Sequence, residues 1–331
     1  MNACITTTLA LTLLKGIGPA FIGKVEHMRN CADDDVCNTD IGTISNRLVS
    51  ILEMTGKHAL IPDVSIALQK ALKIVKECNE SSVRIIARGQ AAFPKKLLGI
   101  RNPPPVIYLR GNEELLSTLI VAIVGSRKAT AEALSIANKL SARFQSAGYS
   151  ICNGIAAGTD TAALQLGTGV HSVVGVLGAG LGDHDLESLP RAYRENAIAI
   201  IESKHGLLVS TCPPGTQQTP FSAIDACKYQ AALSDAAILI ESSETGGSRF
   251  TIEAATELSR PIGVVWRSTW DPSMEQRSLN AKLIGQGRTF AEKREAKYSG
   301  RSRIVVLSDA ESYAELDAAI VTGHELNPMG F

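Results

Sequence analysis

The stretch LIVAIVGSRKATAEAL, Leu119 to Leu134, passes from an apolar run into Gly125-Ser126-Arg127-Lys128 and then into a helical pattern. A glycine, a hydroxyl and two cations at the exit of a buried strand suit a phosphate. The helix start offers unpaired N–H groups and an arginine adds paired, charge-assisted hydrogen bonds. Three more loops combine small residues with a hydroxyl or a charge: NGIAAGTDTAA after 149–152, GAGLGDHD after 173–177 and SSETGGSRFTIEAA after 237–241. Such loops collect at the carboxyl ends of strands in an open α/β sheet. Ser126, Thr159, Ser248 and Thr251 are therefore expected to add hydroxyl donors beside Arg127, with all four loops converging on one phosphate-bearing ligand. GAGLG lacks the final glycine of G-x-G-x-x-G and no helix follows promptly, while Glu241, which could read a ribose hydroxyl, belongs to another unit. A nicotinamide dehydrogenase is not expected.

The elements that must position these loops follow from the apolar pattern. LIVAIVG, YSICNG, SVVGVLGAG, GLLVS, AAILIES and PIGVVW alternate with helical stretches at 130–147, 159–167, 189–204, 221–233 and 247–259. Near-continuous apolar strands separated by helices predict an α/β fold with a mostly parallel sheet covered on both faces. VRIIARG and VIYLRG are further β-rich runs around the proline-punctuated FPKKLLGIRNPPP. Residues 1–80 read as a helical N-terminal domain and residues 81–331 as the core, ending in one more strand and helix. In LTLLKGIGPAFIGKV, Gly16, Gly18 and Pro19 separate two helical segments. That is the form of a helix-hairpin-helix able to offer backbone N–H groups to a DNA phosphate, and equally of a plain helical hairpin.

At 331 residues with 45% hydrophobic and 20% charged residues, the chain can bury a large core. Lys+Arg and Asp+Glu balance at 33 each, so a nucleic-acid partner has to be held by a local patch. Arg127, Lys128 and Lys228, with weaker help from Lys95 and Lys96, are expected to form that strip, while Lys57 lies outside it. A second local excess of Lys and Arg, between Arg288 and Arg303, reads as an exposed loop or helix end. Seven scattered cysteines without CxxC spacing fit reduced thiols in a cytoplasmic protein. The opening residues show neither a signal peptide nor a membrane span. The six histidines lack a G-x-S-x-G partner, and His184 between Asp183 and Asp185 reads as a solvated loop rather than a metal site. No metal or cofactor is expected.

The loops, taken in order, resemble the DprA/Smf family of DNA-processing proteins. VAIVGSRKAT is similar to its Gly-Ser-Arg signature, and GYSICNGIAAGTDTAAL to its small-Gly-x-Ala-x-Gly-Ile-Asp segment. LLVSTCPPGTQQTPF resembles the Pro-Pro-Gly loop, TGGSRFTIEAATELSRPIGVV the Gly-Ser-x-x-Thr helix, and SLNAKLIGQG the closing turn. FPKKLLGIRNPPPVIYLRGN and LPRAYRENAIAI also have counterparts, so the likeness spans roughly residues 5–290. The resemblance implies an extended Rossmann-like fold that binds single-stranded DNA without known catalysis. It also implies a role in recombination or natural transformation, with RecA loading, while a homodimer is left open. By position, Gly125, Ser126 and Arg127 would line an anion pocket with Gly158 and Asp160. Gly247, Ser248 and Thr251 would close it, and Lys228 would stand for a DNA-facing arginine. Three departures mark a divergent member. Ala226-Cys227-Lys228 replaces Arg-Asn-Arg, Leu164 replaces a histidine, and no winged-helix segment follows the core. The first of these bears most directly on RecA loading.

Two other classes remain open. LOG-type phosphoribohydrolases carry P-G-G-x-G-T-x-x-E, of which TGGSRFTIE keeps Gly246, Gly247 and Glu253 but not the proline or the Gly-Thr pair. Glu253 could stabilise a ribosyl cation or activate water, or it could simply be an acid in the first helical turn. A nucleotide-binding sensor would use the same phosphate sites. With 5% aromatic residues the chain offers few stacking platforms, so affinity for a single strand is expected to come mainly from phosphates.

Overall fold

The computed structural model describes residues 2–29, 40–164, 172–285 and 303–326. The N-terminal region is helical: α1 (Ala3–Leu13), α2 (Pro19–Lys24), α3 (Ile41–Met54) and α4 (Val64–Glu80). Asn2 and Asp40 cap α1 and α3, accepting the N–H groups of Ile5 and Thr43 at 3.1 and 2.9 Å. Leu9, Ala10 and Leu11 of α1 are buried, and α1 and α4 share one apolar core with Ile85, Val106, Tyr108 and Leu177 of the sheet. Arg88 ties the hairpin to that sheet. It is 4% exposed and donates to the carbonyls of Pro19 (3.0 Å) and Pro103 (2.9 Å).

Nine strands form one sheet in the order β1-β2-β6-β5-β4-β3-β7-β8-β9. They are β1 (Arg84–Ala87), β2 (Val106–Gly111), β3 (Ile120–Val124), β4 (Ser150–Asn153), β5 (Val173–Leu177), β6 (Leu207–Ser210), β7 (Ala236–Leu239), β8 (Ile262–Val265) and β9 (Ile304–Leu307). The pairs β1–β2 and β2–β6 are antiparallel and the remaining pairings are parallel. The expected mostly parallel α/β sheet is therefore present. Side chains alternate between its faces. In β3, Ile120, Ala122 and Val124 face the core beneath α9 (Pro220–Leu233) and α10 (Ser248–Glu257). Val121 and Ile123 face α5 (Ala131–Ser146) and α12 (Ala310–Leu326). Between these run α6 (Thr159–Leu164), α7 (Asp183–Glu187), α8 (Arg191–Glu202) and α11 (Ser278–Gly285). Strand order reverses at β3, which has β4 on one side and β7 on the other. Its carboxyl end is the place where ligands gather in such sheets.

Two expectations change, and a third falls on residues that are mostly outside the described ones. Cys4, 3% exposed, is disulfide-bonded, so the seven cysteines are not all thiols. Spacing along a sequence does not report which side chains approach in space. Residues 288–302 of the second basic stretch lie outside the described residues, and Arg303 pairs with Glu315 at 2.6 Å. Lys96 is not part of a basic strip. Its ammonium sits 2.6 Å from Asp235, which also accepts the Ile120 N–H at 2.8 Å, at the amino end of β3. That is the sheet edge opposite Gly125, and Lys95 lies in the same short helical turn. Burial drives the Lys96 pKa down despite the opposing carboxylate.

Removing one partner of a buried pair strands the other charge. Lys96→Met should lower unfolding stability by about 3 kcal/mol in urea titrations. A stability equal to that of the parent would show that the pair contributes nothing.

Candidate functional site

The loop leaving β3 is fixed by one carboxylate. Glu241, 0% exposed at the end of β7, accepts the Thr130 N–H at 2.7 Å, the Thr130 hydroxyl at 3.2 Å and the Arg277 Nε at 2.8 Å. Its backbone carbonyl accepts the Ser126 N–H at 2.7 Å. Thr130 also caps α5, accepting from Ala133. Arg277 stacks on Trp270 at 4.2 Å, and the Trp270 Nε1–H donates to Glu132 at 2.8 Å. Fully buried and holding these three donors, Glu241 is a brace for residues 126–130.

The loop after β4 lies directly against this one. A Cβ on Gly158, at φ +80°, would come within 2.6 Å of the carbonyls of Ser126 and Arg127, and one on Gly125 within 2.5 Å of the Thr159 hydroxyl. Backbone contact this close admits only glycine. Ile155 is held at φ +51°, a strained value for a β-branched residue. Asn153 accepts its N–H at 3.0 Å, and the buried Asn196 of α8 donates to its carbonyl at 3.0 Å. Asp160, 8% exposed, accepts the N–H groups of Gly154 and Ala156, both at 3.1 Å. Burial still raises its pKa to about 7, against the lowering by those two amides and Arg127.

The expected hydroxyl donors mostly tie loops together. Thr159 donates to the Ser126 carbonyl (3.1 Å), Ser248 to the Gly125 carbonyl (2.8 Å) and Thr251 to the Gln230 side chain (3.1 Å). A hydroxyl has one proton, so these three have none left for a ligand. Ser126 differs: its Oγ accepts the Lys128 N–H at 3.0 Å and donates to nothing else among the described residues. Gly246 packs against Ser242, whereas Gly247 faces open space at the start of α10.

Three loops interlock in this way, after β3, β4 and β7. The fourth, after β5, turns elsewhere. Gly178 abuts the backbone of Ser222 in α9, and Asp185 accepts the N–H groups of Gly182 (3.0 Å) and Gly215 (2.9 Å). Asp183 pairs with Arg110 at 2.6 Å, and no group of three His, Cys, Asp or Glu fit for a metal occurs among the described residues.

Arg127 and Lys128 are exposed, and neither joins an ion pair among the described residues. Lys228 is paired with Asp225 at 2.6 Å on the outside of α9, and its neighbour Cys227 is the residue turned toward Thr251 and Asp160. Tyr193 of α8 lies within the fields of Asp160 and Arg127 and hydrogen-bonds to Gln218. Sequence reasoning passed over Tyr193, Gln218 and Arg277. The distance of Arg277 from the glycine loops along the chain hid its role. Glu253 is the sixth residue of α10, not in its first turn. It stands two residues beyond Thr251, about 200° around the helix, so it and Thr251 lie on different faces.

A carboxyl whose pKa rises from 3.8 to about 7 on folding binds extra protons in the native state. Stability from this group is complete below the unfolded value and is lost as pH climbs through about 7. Urea titrations from pH 4 to 8 should show a decline that Asp160→Asn flattens; parallel pH profiles for the two proteins would contradict the assignment.

Residues 84–298 match the family described as DNA recombination-mediator protein A. The chain is 28% identical over 222 residues to the DNA processing protein DprA of Bacillus subtilis, covering 66% of this chain and 71% of that protein. The structure is similar to DprA of Streptococcus pneumoniae, with a TM-score of 0.63 and 19% identity over 94% of this chain and 95% of that one. It is also similar to DprA of Helicobacter pylori, described for its single-stranded DNA binding mode. There the TM-score is 0.53 with 21% identity over 65% of this chain and 97% of that one. The chain belongs to the DNA recombination-mediator protein A family of DNA-processing proteins.

Proposed function

We propose that this chain binds single-stranded DNA through phosphate contacts at Gly125–Lys128 and performs no chemistry on it. The observation that carries this reading is the exposed pair Arg127 and Lys128, without ion-pair partners among the described residues, on a loop held rigid by Glu241. A cation whose backbone is already ordered loses little entropy on meeting a phosphate. The loop also lies at the strand-order reversal, and the Helicobacter pylori relative is described as a single-stranded DNA binder. Gly158, Gly247 and Ser248 shape the pocket, and Lys228 contributes once its exposed pair with Asp225 opens, at small cost. Handing the strand to RecA is the family role this reading extends to, and Ala226-Cys227-Lys228 weakens the surface for it.

Arg127→Ala should weaken binding of a labelled single strand by roughly 1.5–3 kcal/mol, on the order of tenfold or more, without unfolding the protein. Lys228→Glu should weaken it less and Lys57→Glu hardly at all. Affinity should fall with salt at a log–log slope near −0.7 per phosphate contact, and duplex should bind less well. Unchanged affinity for Arg127→Ala, or a salt-independent affinity, would move the reading to a small-nucleotide sensor.

The hydrolase alternative rests on Gly246, Gly247 and Glu253 without the proline or the Gly-Thr pair, and Glu253 lies on a different face of α10 from Thr251. Incubation with AMP, CMP, GMP or UMP should release no free base. Release abolished by Glu253→Gln would restore a phosphoribohydrolase.

A further inference from the structure

Phe221 is 81% exposed, more than any other large hydrophobic side chain among the described residues. Its backbone is tightly held. It follows Pro220 at the start of α9, where Thr219 and Ser222 form a reciprocal cap. The next residues, Ser222 and Ala223, press on Gly178, where a Cβ would come within 2.5 Å of the Ser222 backbone. The preceding loop is pinned by the Gly215 N–H to Asp185 (2.9 Å) and the Gly180 N–H to the Thr216 carbonyl (2.9 Å). An aromatic ring exposed on so fixed a backbone loses little freedom when something stacks on it.

Its place relative to the anion loop follows from α9. Cys227, six residues further along the helix, is turned toward Asp160 and Thr251; Phe221 stands about 9 Å from it along the axis and about 120° around it, on the face that carries Lys228. A second route gives the same neighbourhood: Arg127 lies near Tyr193, Tyr193 bonds Gln218, and Gln218 is three residues before Phe221. Tyr193 packs on the apolar core and has its hydroxyl engaged, which leaves Phe221 as the exposed ring among the described residues.

Resting on the single-strand reading above, we propose that Phe221 is a stacking platform for one nucleobase of a strand whose phosphate is held at Arg127. Stacking on a ring is tolerant of base identity because every base has a π-face. The site would thus add affinity for bases without sequence preference. The expectation that affinity comes mainly from phosphates is refined at this one residue.

The test compares labelled dT12 with a twelve-residue abasic strand of equal phosphate count, using the parent protein, Phe221→Ala and Phe221→Trp. The parent should prefer dT12 by about fivefold or more. Phe221→Ala should remove that preference while leaving the abasic strand bound as before, and Phe221→Trp should keep it. A 2-aminopurine at the stacked position should be quenched by the parent and not by Phe221→Ala. Equal parental affinity for the two strands, or equal loss of both on Phe221→Ala, overturns the platform and leaves phosphate binding intact. Failure of the parent to bind either strand overturns the single-strand reading and the platform with it. A shift to smaller mass in light scattering for Phe221→Ala, with base preference retained, would make Phe221 a contact between copies and also overturn the proposal.

Discussion

One buried carboxylate governs the geometry of the site. Glu241 is withdrawn from water and has to be compensated where it stands, which Arg277 and Thr130 do. Because Thr130 also begins α5, the same oxygens fix the helix start and the loop before it. Arg127 and Lys128 repel each other and would spread on a loose loop. Here their backbone is held on one side by Glu241 and on the other by Thr159 and Ser248.

The division between structural and available groups is physical. Hydroxyl and carboxylate partners inside the loops satisfy one another, and the groups left facing water are cations. A chain of zero net charge can present a positive spot in this way. Asp160, whose carboxyl interacts with Arg127, resists ionisation because of its burial.

Much of the fold could be read from alternation of apolar runs and helical periods. The helices expected at 189–204 and 247–259 occur as α8 and α10, within about two residues at each end. Gly125 and Gly158 were visible as glycines at strand exits, since close backbone approach leaves no substitute. The direction of each hydroxyl was not visible: sequence names a donor but not the carbonyl that takes its proton, as at Thr159 and Ser248. Lys96 looked like one more cation because Asp235, its partner, lies 139 residues away. The role expected of Glu253 depended on where α10 begins, and a helix start is the least certain part of any reading from pattern alone.

The bonds that shape the pocket join residues far apart in the chain. Ser126 meets Thr159 across 33 residues, Thr130 meets Glu241 across 111 and Gly125 meets Ser248 across 123. Glu241 then needs Arg277, a further 36 residues on. During synthesis the first of these loops therefore leaves the ribosome long before the groups that shape it. Contacts of such separation form late, after the closure entropy of the intervening chain has been overcome. The pocket acquires its shape only when nearly the whole sheet is assembled, so an incomplete or misfolded chain presents the same two cations on a backbone that does not hold them in place.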